Sequence, residues 1–357
     1  MKLYIFNPGH DHALASGLTH FTAPHAARQL RADLGFMPAL WASEDGCVLV
    51  DDSLHAKHSW QRMLPRLAKL GVMPYARIDF IEPSSLKAIR FDSIDPWGWN
   101  ATLKSEFLRY GVAEPLLPSD SWLDNARTLS HRYYAAMLLS HLRFDATVGE
   151  AFRCFSLDEV LSISSRLANN VVLKAPWSGS GRGVRFLSSV PDTSTTGWIS
   201  NVIKAQGSIM LEPYYNKVKD FGMEFFVDTY GHTHYLGLSL FHTINGAYAG
   251  NILATEEEKR VMLGAYLSTD LLDKVATTIC QHSMRGYVGP FGVDMMVVRD
   301  LHGFLLHPCV EINLRRTMGH VALHASPIAP ENIGMMRIAF NAFNYKLFFS
   351  RSNKLSI

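Results

Sequence analysis

The stretch that decides the fold of this 357-residue chain is VVLKAPWSGSGRGVRFL, residues 171–187. Both of its ends have the pattern of β-strands, and glycines and serines fill the segment between them. Glycine-rich loops let backbone N–H groups surround phosphate oxygens. A P-loop or a dinucleotide fingerprint would need a helix after the glycines, whereas a strand follows here. The stretch therefore predicts a hairpin whose tip closes on phosphate or, alternatively, an ordinary Gly/Ser turn.

Lys174 favours the phosphate interpretation of this hairpin. It lies inside the apolar run 171–175, immediately before the loop. A lysine in such surroundings needs an anionic partner, because burying an unpaired charge is costly. The lysine and the glycine hairpin together predict an anion-binding site.

Acidic residues interrupt two further apolar strands, which lie near the other end of the chain. Asp294 falls within 292–298, and Glu311 and Asn313 fall within 309–313. Residues two apart on a strand point to the same face, so Glu311 and Asn313 share one. If the two strands pair across the turn at residues 300–303, Asp294 lies near that face. Three converging oxygen donors predict a Mg²⁺ site, because Mg²⁺ prefers carboxylates together with substrate phosphates.

Two arginines follow these strands and leave the acidic cluster open to a second interpretation. Arg315 lies two residues beyond Asn313 and is placed to hold an anion beside the metal. Alternatively, the strands form a solvent-facing edge whose acidic residues pair with Arg315 and Arg316.

Composition excludes several classes of protein. Hydrophobic residues make up 48% and charged residues 18% of the chain, which is typical of a globular protein. A net charge of +2 provides no general basic field for nucleic acid. The apolar runs are too short for a membrane span or a signal peptide, so we expect a cytoplasmic protein without membrane contact. The four cysteines form no CxxC pair, and we expect no structural zinc site.

The chain changes its pattern at about residue 127. Before that point, strand-like segments, including 37–41, alternate with helix-like ones, which predicts an open α/β sheet. From Ser130, which we expect to be a helix N-cap, the order of elements is of the α+β type. The aromatic segment 340–349 predicts a C-terminal helix.

The loop after the first strand, residues 7–12, carries His10 and His12. Ligands gather at the carboxyl ends of strands in an open α/β sheet, so this loop could line a substrate site. It is equally consistent with a turn that exposes its histidines. A metal site at His10 and His12 is disfavoured, since no third ligand is evident.

Together these segments resemble the ATP-grasp superfamily, over the range from Ser130 to Gly319. The resemblance is carried, in order, by residues 172–183, 210–214, 220–224, 292–294 and 310–315. It implies two α+β lobes that hold ATP between them, at 128–208 and 209–357, with the C-terminal helix in the second. The α/β domain 1–127 would precede them and help to shape the acceptor-substrate site.

The resemblance also assigns roles to single residues. Lys174 would bind phosphate under the closing glycine loop, residues 212–214 would form the adenine-side hinge, and Asp220 would lie near the ribose. The implied nucleotide contacts are Arg132, Lys174, Ser178, Gly179, Ser180, Gly181, Gly183, Glu212, Pro213, Tyr214 and Asp220. The implied metal ligands are Asp294, Glu311 and Asn313, and the implied catalytic residues are Arg315 and Lys174.

Two positions depart from the family pattern. Arg132 stands where a second phosphate-binding lysine is often found, and its planar guanidinium offers a different donor geometry. Leu314 follows Asn313 where many relatives differ, which makes the role of Arg315 less secure than that of Glu311. Both departures leave the acceptor chemistry open.

We therefore expect an ATP- and Mg²⁺-dependent ligase that joins a small-molecule carboxylate to an amine. Its first step would convert the carboxylate to an acyl phosphate. A kinase-like phosphotransferase and a nucleotide-binding protein without turnover are the alternatives. The oligomeric state is left open, with a homodimer as one option.

Overall fold

A computed structural model describes residues 1–74, 76–178, 183–244, 247–282, 284–330 and 332–351, and it distributes the strands over three sheets. Three predicted nucleotide contacts, Gly179, Ser180 and Gly181, lie outside the described residues. Within those residues, no helix combines the length and the apolar character that crossing a membrane requires.

The first sheet is parallel, has the strand order β3-β2-β1-β4, and confirms the predicted α/β region. Residues 38–41 form a short helix, so the strand expected at 37–41 is wrong. Pro38 is in the first turn of that helix, where its missing N–H has no partner to lose. The elements are β1 Lys2–Ile5, α1 His10–Ser16, α2 His25–Leu34, α3 Pro38–Trp41, β2 Gly46–Leu49, α4 Ser53–Ala68, β3 Ile78–Ile81, β4 Ser93–Pro96, α5 Ala101–Arg109 and α6 Asp120–Leu129.

The second sheet is antiparallel and has the order β5-β8-β6-β7. It contains the predicted hairpin, whose strands are β6 and β7. Its first helix begins one residue later than expected, because the Ser130 hydroxyl bonds Ala126 O in α6 while His131 caps the new helix. The elements are α7 Arg132–His141, β5 Phe152–Cys154, α8 Leu157–Arg166, β6 Val171–Lys174, β7 Val184–Leu187, α9 Thr193–Gln206 and β8 Ile209–Pro213.

The third sheet has seven strands in the order β13-β12-β9-β10-β11-β14-β15. The predicted pairing of the two acidic strands is confirmed, since β12 and β13 are antiparallel neighbours. The elements are β9 Lys217–Val227, β10 Thr233–Ile244, β11 Ala247–Leu253, α10 Glu256–Leu263, α11 Thr269–Gln281, β12 Gly289–Arg299, β13 Phe304–Asn313, α12 Met318–His324, β14 Gly334–Phe340 and β15 Tyr345–Arg351.

The predicted C-terminal helix is wrong, because residues 334–351 form the β14–β15 hairpin. Leu347 is 2% exposed while its neighbour Phe348 is exposed, which is the alternation of a strand with one buried face. Asp33 of α2 accepts hydrogen bonds from Tyr345 N at 2.7 Å and Asn344 Nδ2 at 3.1 Å. The hairpin is therefore attached to the first unit.

Alternating burial decides which side chains each sheet directs away from its core. In β6, Val171 and Leu173 pack into the core of the second sheet, and this places Lys174 on the opposite face. In β9 and β12, Phe221, Met223 and Val293 pack into the core of the third sheet. Glu224 of β9 and Asp294 of β12 alternate with these core residues, and they therefore lie together on the opposite face of the sheet. The unit boundaries at 127/128 and 208/209 stay a prediction, although β8, which begins at 209, belongs to the second sheet.

Candidate active site

The three predicted metal ligands are brought together on the polar face of β12 and β13. Asp294 and Glu311 are direct cross-strand partners, and Gly292 is the partner of Asn313. The register between the strands shifts immediately after Asp294, so the regular ladder is interrupted at the carboxylates. Bulges of this kind reorient side chains next to functional sites.

Hydrogen bonds fix the orientation of the amide and the carboxylates. Asn313 Nδ2 donates to Asp294 Oδ2 at 3.1 Å, and Asn313 Oδ1 accepts from Arg315 NH2 at 3.0 Å. Glu311 Oε1 lies 2.9 Å from NH2 of Arg132. Glu311 is thus paired with the start of α7, whereas the solvent-edge interpretation expected it to pair with Arg315 or Arg316.

The pKa of Asp294 is raised to about 7, first by burial and then by the negative charges of Glu311 and Glu224. A cation at this position would relieve that repulsion. Within the described ranges, no group of three or more His, Cys, Asp or Glu side chains is arranged to hold a metal. The predicted set has two carboxylates and an amide, which still fits Mg²⁺. Its amide oxygen would first have to turn from Arg315 toward Asp294.

Glu224 is the carboxylate that the sequence reasoning missed. It is 3% exposed on β9, where it is the cross-strand partner of Gly292, and it belongs to the same polar face. A Cβ atom would lie 2.6 Å from its carboxylate oxygen at Gly292 and 1.8 Å at Gly319, so both glycines make room for it. The signal was present in the sequence, since Glu224 interrupts the apolar run 221–227.

Lys174 has its anionic partner inside the protein. Its Nζ donates to Glu212 Oε2 at 2.6 Å, and the two side chains are 8% and 9% exposed. Glu212 lies on the neighbouring strand β8, on the same face as Lys174. The need for an anion, which suggested phosphate, is therefore met by a carboxylate. An ammonium group has three donors, and the described residues accept from Nζ once.

Arg132 lies at the base of the glycine loop and links it to the acidic strands. Its Nε donates to Ala175 O at 3.1 Å, and its NH2 donates to Ser178 Oγ at 3.3 Å. Gly183 closes the other side of the loop, where its carbonyl accepts from Ala175 N at 2.7 Å. A Cβ at Gly183 would lie 2.4 Å from that of Ser178, so only glycine fits.

The residues predicted as the adenine hinge lie at the end of β8, and the predicted ribose contact, Asp220, lies on β9. Tyr214 is 48% exposed, and its ring packs edge-on to Phe186 of β7 at 6.0 Å. Pro213 is half-buried beside it. Asp220 Oδ2 accepts from Lys217 Nζ at 2.6 Å and from Thr243 Oγ1 at 2.9 Å. A ribose hydroxyl that bonded to Asp220 would therefore share this carboxylate with Lys217 and Thr243.

Arg315 is held by the first unit. Its Nε and NH2 donate to the two oxygens of Asp11 at 2.6 and 2.7 Å. Burial alone would raise the pKa of Asp11, but the charge and hydrogen bonds of Arg315 outweigh it and lower that pKa. Arg316 makes a parallel pair, with its NH2 2.6 Å from Asp95 Oδ2. Both arginines thus attach the end of β13 to the first unit, Arg315 through α1 and Arg316 through β4.

A small cavity of about 20 Å³ lies where the first unit, the glycine loop and β13 meet. It is lined by His10, Asp11 and Leu14 of α1, by Ser130, by the loop at 176–178, and by 311–314 of β13 and its end. His10 is 2% exposed, so the interpretation of residues 7–12 as a turn with exposed histidines is wrong at this position. A role in acceptor binding stays a prediction.

Solved structures with similar folds share little sequence with this chain. A biotin carboxylase–β-γ-ATP complex from Campylobacter jejuni has a TM-score of 0.52 at 14% identity, covering 94% of this chain and 75% of that one. The N5-carboxyaminoimidazole synthetase from Staphylococcus aureus complexed with ADP has a TM-score of 0.49 at 12% identity, with coverage of 91% and 86%. A RimK domain ATP-grasp protein from Sphaerobacter thermophilus DSM 20745 has a TM-score of 0.42 at 16% identity, with coverage of 79% and 98%. No known protein family and no curated protein matches the sequence significantly.

Proposed function

The chain has the ATP-grasp fold, and from this premise we propose that it is an ATP- and Mg²⁺-dependent ligase that activates a carboxylate for attack by an amine. Mg-ATP would lie between the second and third sheets. The biotin carboxylase structure, whose TM-score to this chain is 0.52, is itself a complex with β-γ-ATP. A cytoplasmic location and a homodimer stay predictions.

The observation that carries the proposal is the contact between Arg132 and Glu311. Their 2.9 Å ion pair brings the base of the glycine loop against the strand that carries the acidic residues. Positive donors for phosphate and oxygen ligands for a divalent cation therefore face each other. Such an arrangement suits a phosphate chain bridged by a metal, because each side neutralises a different part of its charge.

Asp294, Glu311 and Asn313 would hold the Mg²⁺ ion, which when bound supplies a Lewis acid that neutralises charge on the transferred phosphoryl group. The NH2 group of Arg132 would leave Glu311 for a phosphate oxygen, while its Nε stays bonded to Ala175 O. Lys174 would add its remaining donors to the phosphates while Glu212 holds its stem in place. Arg315, kept rigid by Asp11, would contribute a fixed positive charge beside the reacting group.

The proposed reaction has two steps. A carboxylate oxygen attacks the γ-phosphorus of ATP, the bond from that phosphorus to the bridging oxygen breaks, and ADP leaves with the electron pair. The amine nitrogen then attacks the acyl carbon, the bond from carbon to the phosphate oxygen breaks, and inorganic phosphate leaves. The amine gives up its proton to solvent. The protein itself needs no covalent nucleophile.

A screen of paired small carboxylates and amines for release of ADP and phosphate tests this proposal. We expect both products only when a carboxylate and an amine are present together, and loss of both in Glu311→Gln. The exposed Glu257→Gln is the matched control and should keep full activity. Full turnover by Glu311→Gln would overturn the metal assignment.

The same screen distinguishes the alternatives. A stable phosphorylated acceptor, formed with ADP but without free phosphate, would replace the ligase with a phosphotransferase. Nucleotide binding without ADP release for any carboxylate–amine pair would instead support a nucleotide-binding protein without turnover.

A further inference from the structure

The first unit contains a groove of about 410 Å³ that the proposed chemistry does not use. It is lined by five residues of α2 between His25 and Ala32, by Asp51, and by Glu106 and Tyr110 of α5 and its end. Ligand sites in proteins commonly have volumes of roughly 300–1,000 Å³, so this α2–α5 groove is large enough for a small molecule. Its lining residues all differ from those of the cavity at His10.

The groove lies where two helices from opposite faces of the first sheet meet. Leu34 of α2 packs in one core with Tyr4, whereas Phe107 of α5 packs in another with Leu3. Neighbouring residues of β1 point to opposite faces, so the two helices cover opposite faces of the sheet. Asp51 follows the end of β2 by two residues. The groove therefore includes the carboxyl end of a parallel strand, which is where open α/β sheets bind ligands.

An ion pair joins the two helices within the groove. Arg31 NH2 lies 3.1 Å from Glu106 Oε1, and the two side chains are 20% and 18% exposed. Arg31 Nε lies 3.4 Å from Asp51 Oδ1, but this buried nitrogen has no hydrogen-bond partner among the described residues. Burial would lower the pKa of Arg31, but the charges of Glu106 and Asp51 outweigh it and raise that pKa. Arg31 and Glu106 thus neutralise each other, while Asp51 is held only loosely.

Two opposite charges in the groove are left without a hydrogen bond. Among the residues that the structure describes, none donates to the carboxylate of Asp51 or accepts from the guanidinium of Arg28. Arg28 is exposed, and the side chain of Asp51 is 48% exposed. Arg28 and Arg31 are three residues apart on α2 and therefore lie on the same side of the helix. The free cation is thus one helical turn from the residue that contacts the loosely held anion.

The balance of charge in the groove selects a class of ligand. Two arginines and two carboxylates line it, so their charges cancel. A polyanion such as a nucleotide would be repelled by the carboxylates, and a simple cation would be repelled by Arg28. A zwitterion gives each free group a partner. Its carboxylate accepts from the guanidinium, and its ammonium group donates to Asp51.

We propose that the α2–α5 groove binds a free α-amino acid, whose carboxylate pairs with Arg28 and whose ammonium group pairs with Asp51. The groove has room beyond these two groups for an amino-acid side chain, with Tyr110 and Ala32 in its lining. This would be a second ligand site, distinct from the cleft between the second and third sheets. It goes beyond the proposed function and does not depend on it.

Calorimetric titration of the wild-type protein with each of the twenty L-amino acids tests the proposal. We expect saturable binding of at least one of them. Its N-acetyl form lacks the ammonium group, and its amide lacks the carboxylate. Each blocked form should bind at least about tenfold more weakly, because it loses one charge-assisted hydrogen bond.

Substitutions in the groove and in the cleft show which of the two places holds the amino acid. We expect Arg28→Gln and Asp51→Asn each to weaken its binding at least about tenfold and to leave Mg-ATP affinity unchanged. Arg66→Gln, an exposed arginine on α4, is the matched control and should bind it like wild type. Glu311→Gln alters the cleft and not the groove, so it should also bind it like wild type.

The inference would be overturned if none of the twenty amino acids binds saturably, or if the blocked forms bind as well as the free one. Binding that is lost in Glu311→Gln but kept in Arg28→Gln would place the amino acid in the cleft and would overturn it as well. Failure of the wild-type protein to bind Mg-ATP would count against the proposed function alone. The wild-type series with blocked forms decides the question even if a variant does not fold.

Discussion

The buried ion pair of Lys174 and Glu212 joins two neighbouring strands of the second sheet at 2.6 Å. Removing one partner of such a pair leaves an uncompensated buried charge and typically costs about 3–5 kcal/mol. We therefore expect Lys174→Met to lower the free energy of unfolding by that amount. The double variant Lys174→Met/Glu212→Met should recover most of the loss. Urea unfolding of both variants checks this, and a double variant less stable than the single one would contradict it.

The Asp11–Arg315 pair gives a second prediction, with a defined pH range. Asp11→Asn removes the charge but keeps an acceptor oxygen in this partly buried pair, and we expect the protein to lose about 1–3 kcal/mol of stability at pH 7. The folded pKa of Asp11 lies below its unfolded value of about 3.9. The contribution of the pair is therefore complete above about pH 5 and is lost as the pH falls below 4.

Melting temperatures of wild type and Asp11→Asn between pH 3 and 7 measure this contribution. The difference between them should be constant in the upper part of the range and shrink toward pH 3. A difference that grows as the pH falls would show that Asp11 is not the charged partner of Arg315.

Gly98 lies in the loop after β4 and contacts His10 at the start of α1. A Cβ there would lie 2.7 Å from His10 and 2.9 Å from Cβ of Arg315, so Gly98→Ala must displace one of them. We expect a loss of about 1–3 kcal/mol, as for other overpacked sites. Gly197→Ala in α9 is the matched control, because nothing lies within 4 Å of its Cβ position. Equal stability of the two variants would contradict the close packing at Gly98.

Local patterns predicted most of the individual elements. The hairpin around the glycine loop and the β12–β13 pair followed from alternation of apolar and polar residues. The aromatic segment near the C-terminus predicts a helix, because the sequence does not show the strand with which it pairs. Its strand form depends on pairing with β14 and on the contact of Tyr345 N with Asp33, 312 residues away.

Contacts between residues that are far apart in the sequence also decide which parts of the candidate site could be predicted. Glu311 and Asn313 could be placed on one face from their spacing alone. The partner of Arg315 could not, because Asp11 is 304 residues away in the sequence. The partner of Lys174 was within reach, since Glu212 lies on a strand that the sequence predicted. The adjacent glycines favour phosphate as the anion when the sequence alone is considered.

At the scale of the whole molecule, Asp33 attaches the C-terminal hairpin to the first unit. Asp33→Ala leaves the partly buried Tyr345 N–H without its acceptor, and we expect a loss of about 1 kcal/mol, at the lower end of the 1–3 kcal/mol typical of a fully buried donor. We expect that loss of stability with unchanged Mg-ATP affinity, because the contact is remote from the cleft. Chemical denaturation and calorimetry measure both quantities, with the exposed Asp145→Ala as the matched control. Unchanged stability would contradict the proposed attachment.

The central claim is that the cleft between the second and third sheets binds ATP together with Mg²⁺. Calorimetric titration with a non-hydrolysable ATP analogue, with Mg²⁺ present and after its removal by chelation, tests this claim most directly. The account predicts one saturable site per chain, with affinity at least about tenfold weaker without Mg²⁺, because Asp294 and Glu311 would then face the phosphates without a cation between them. Absence of binding, or an affinity that does not depend on Mg²⁺, would contradict it.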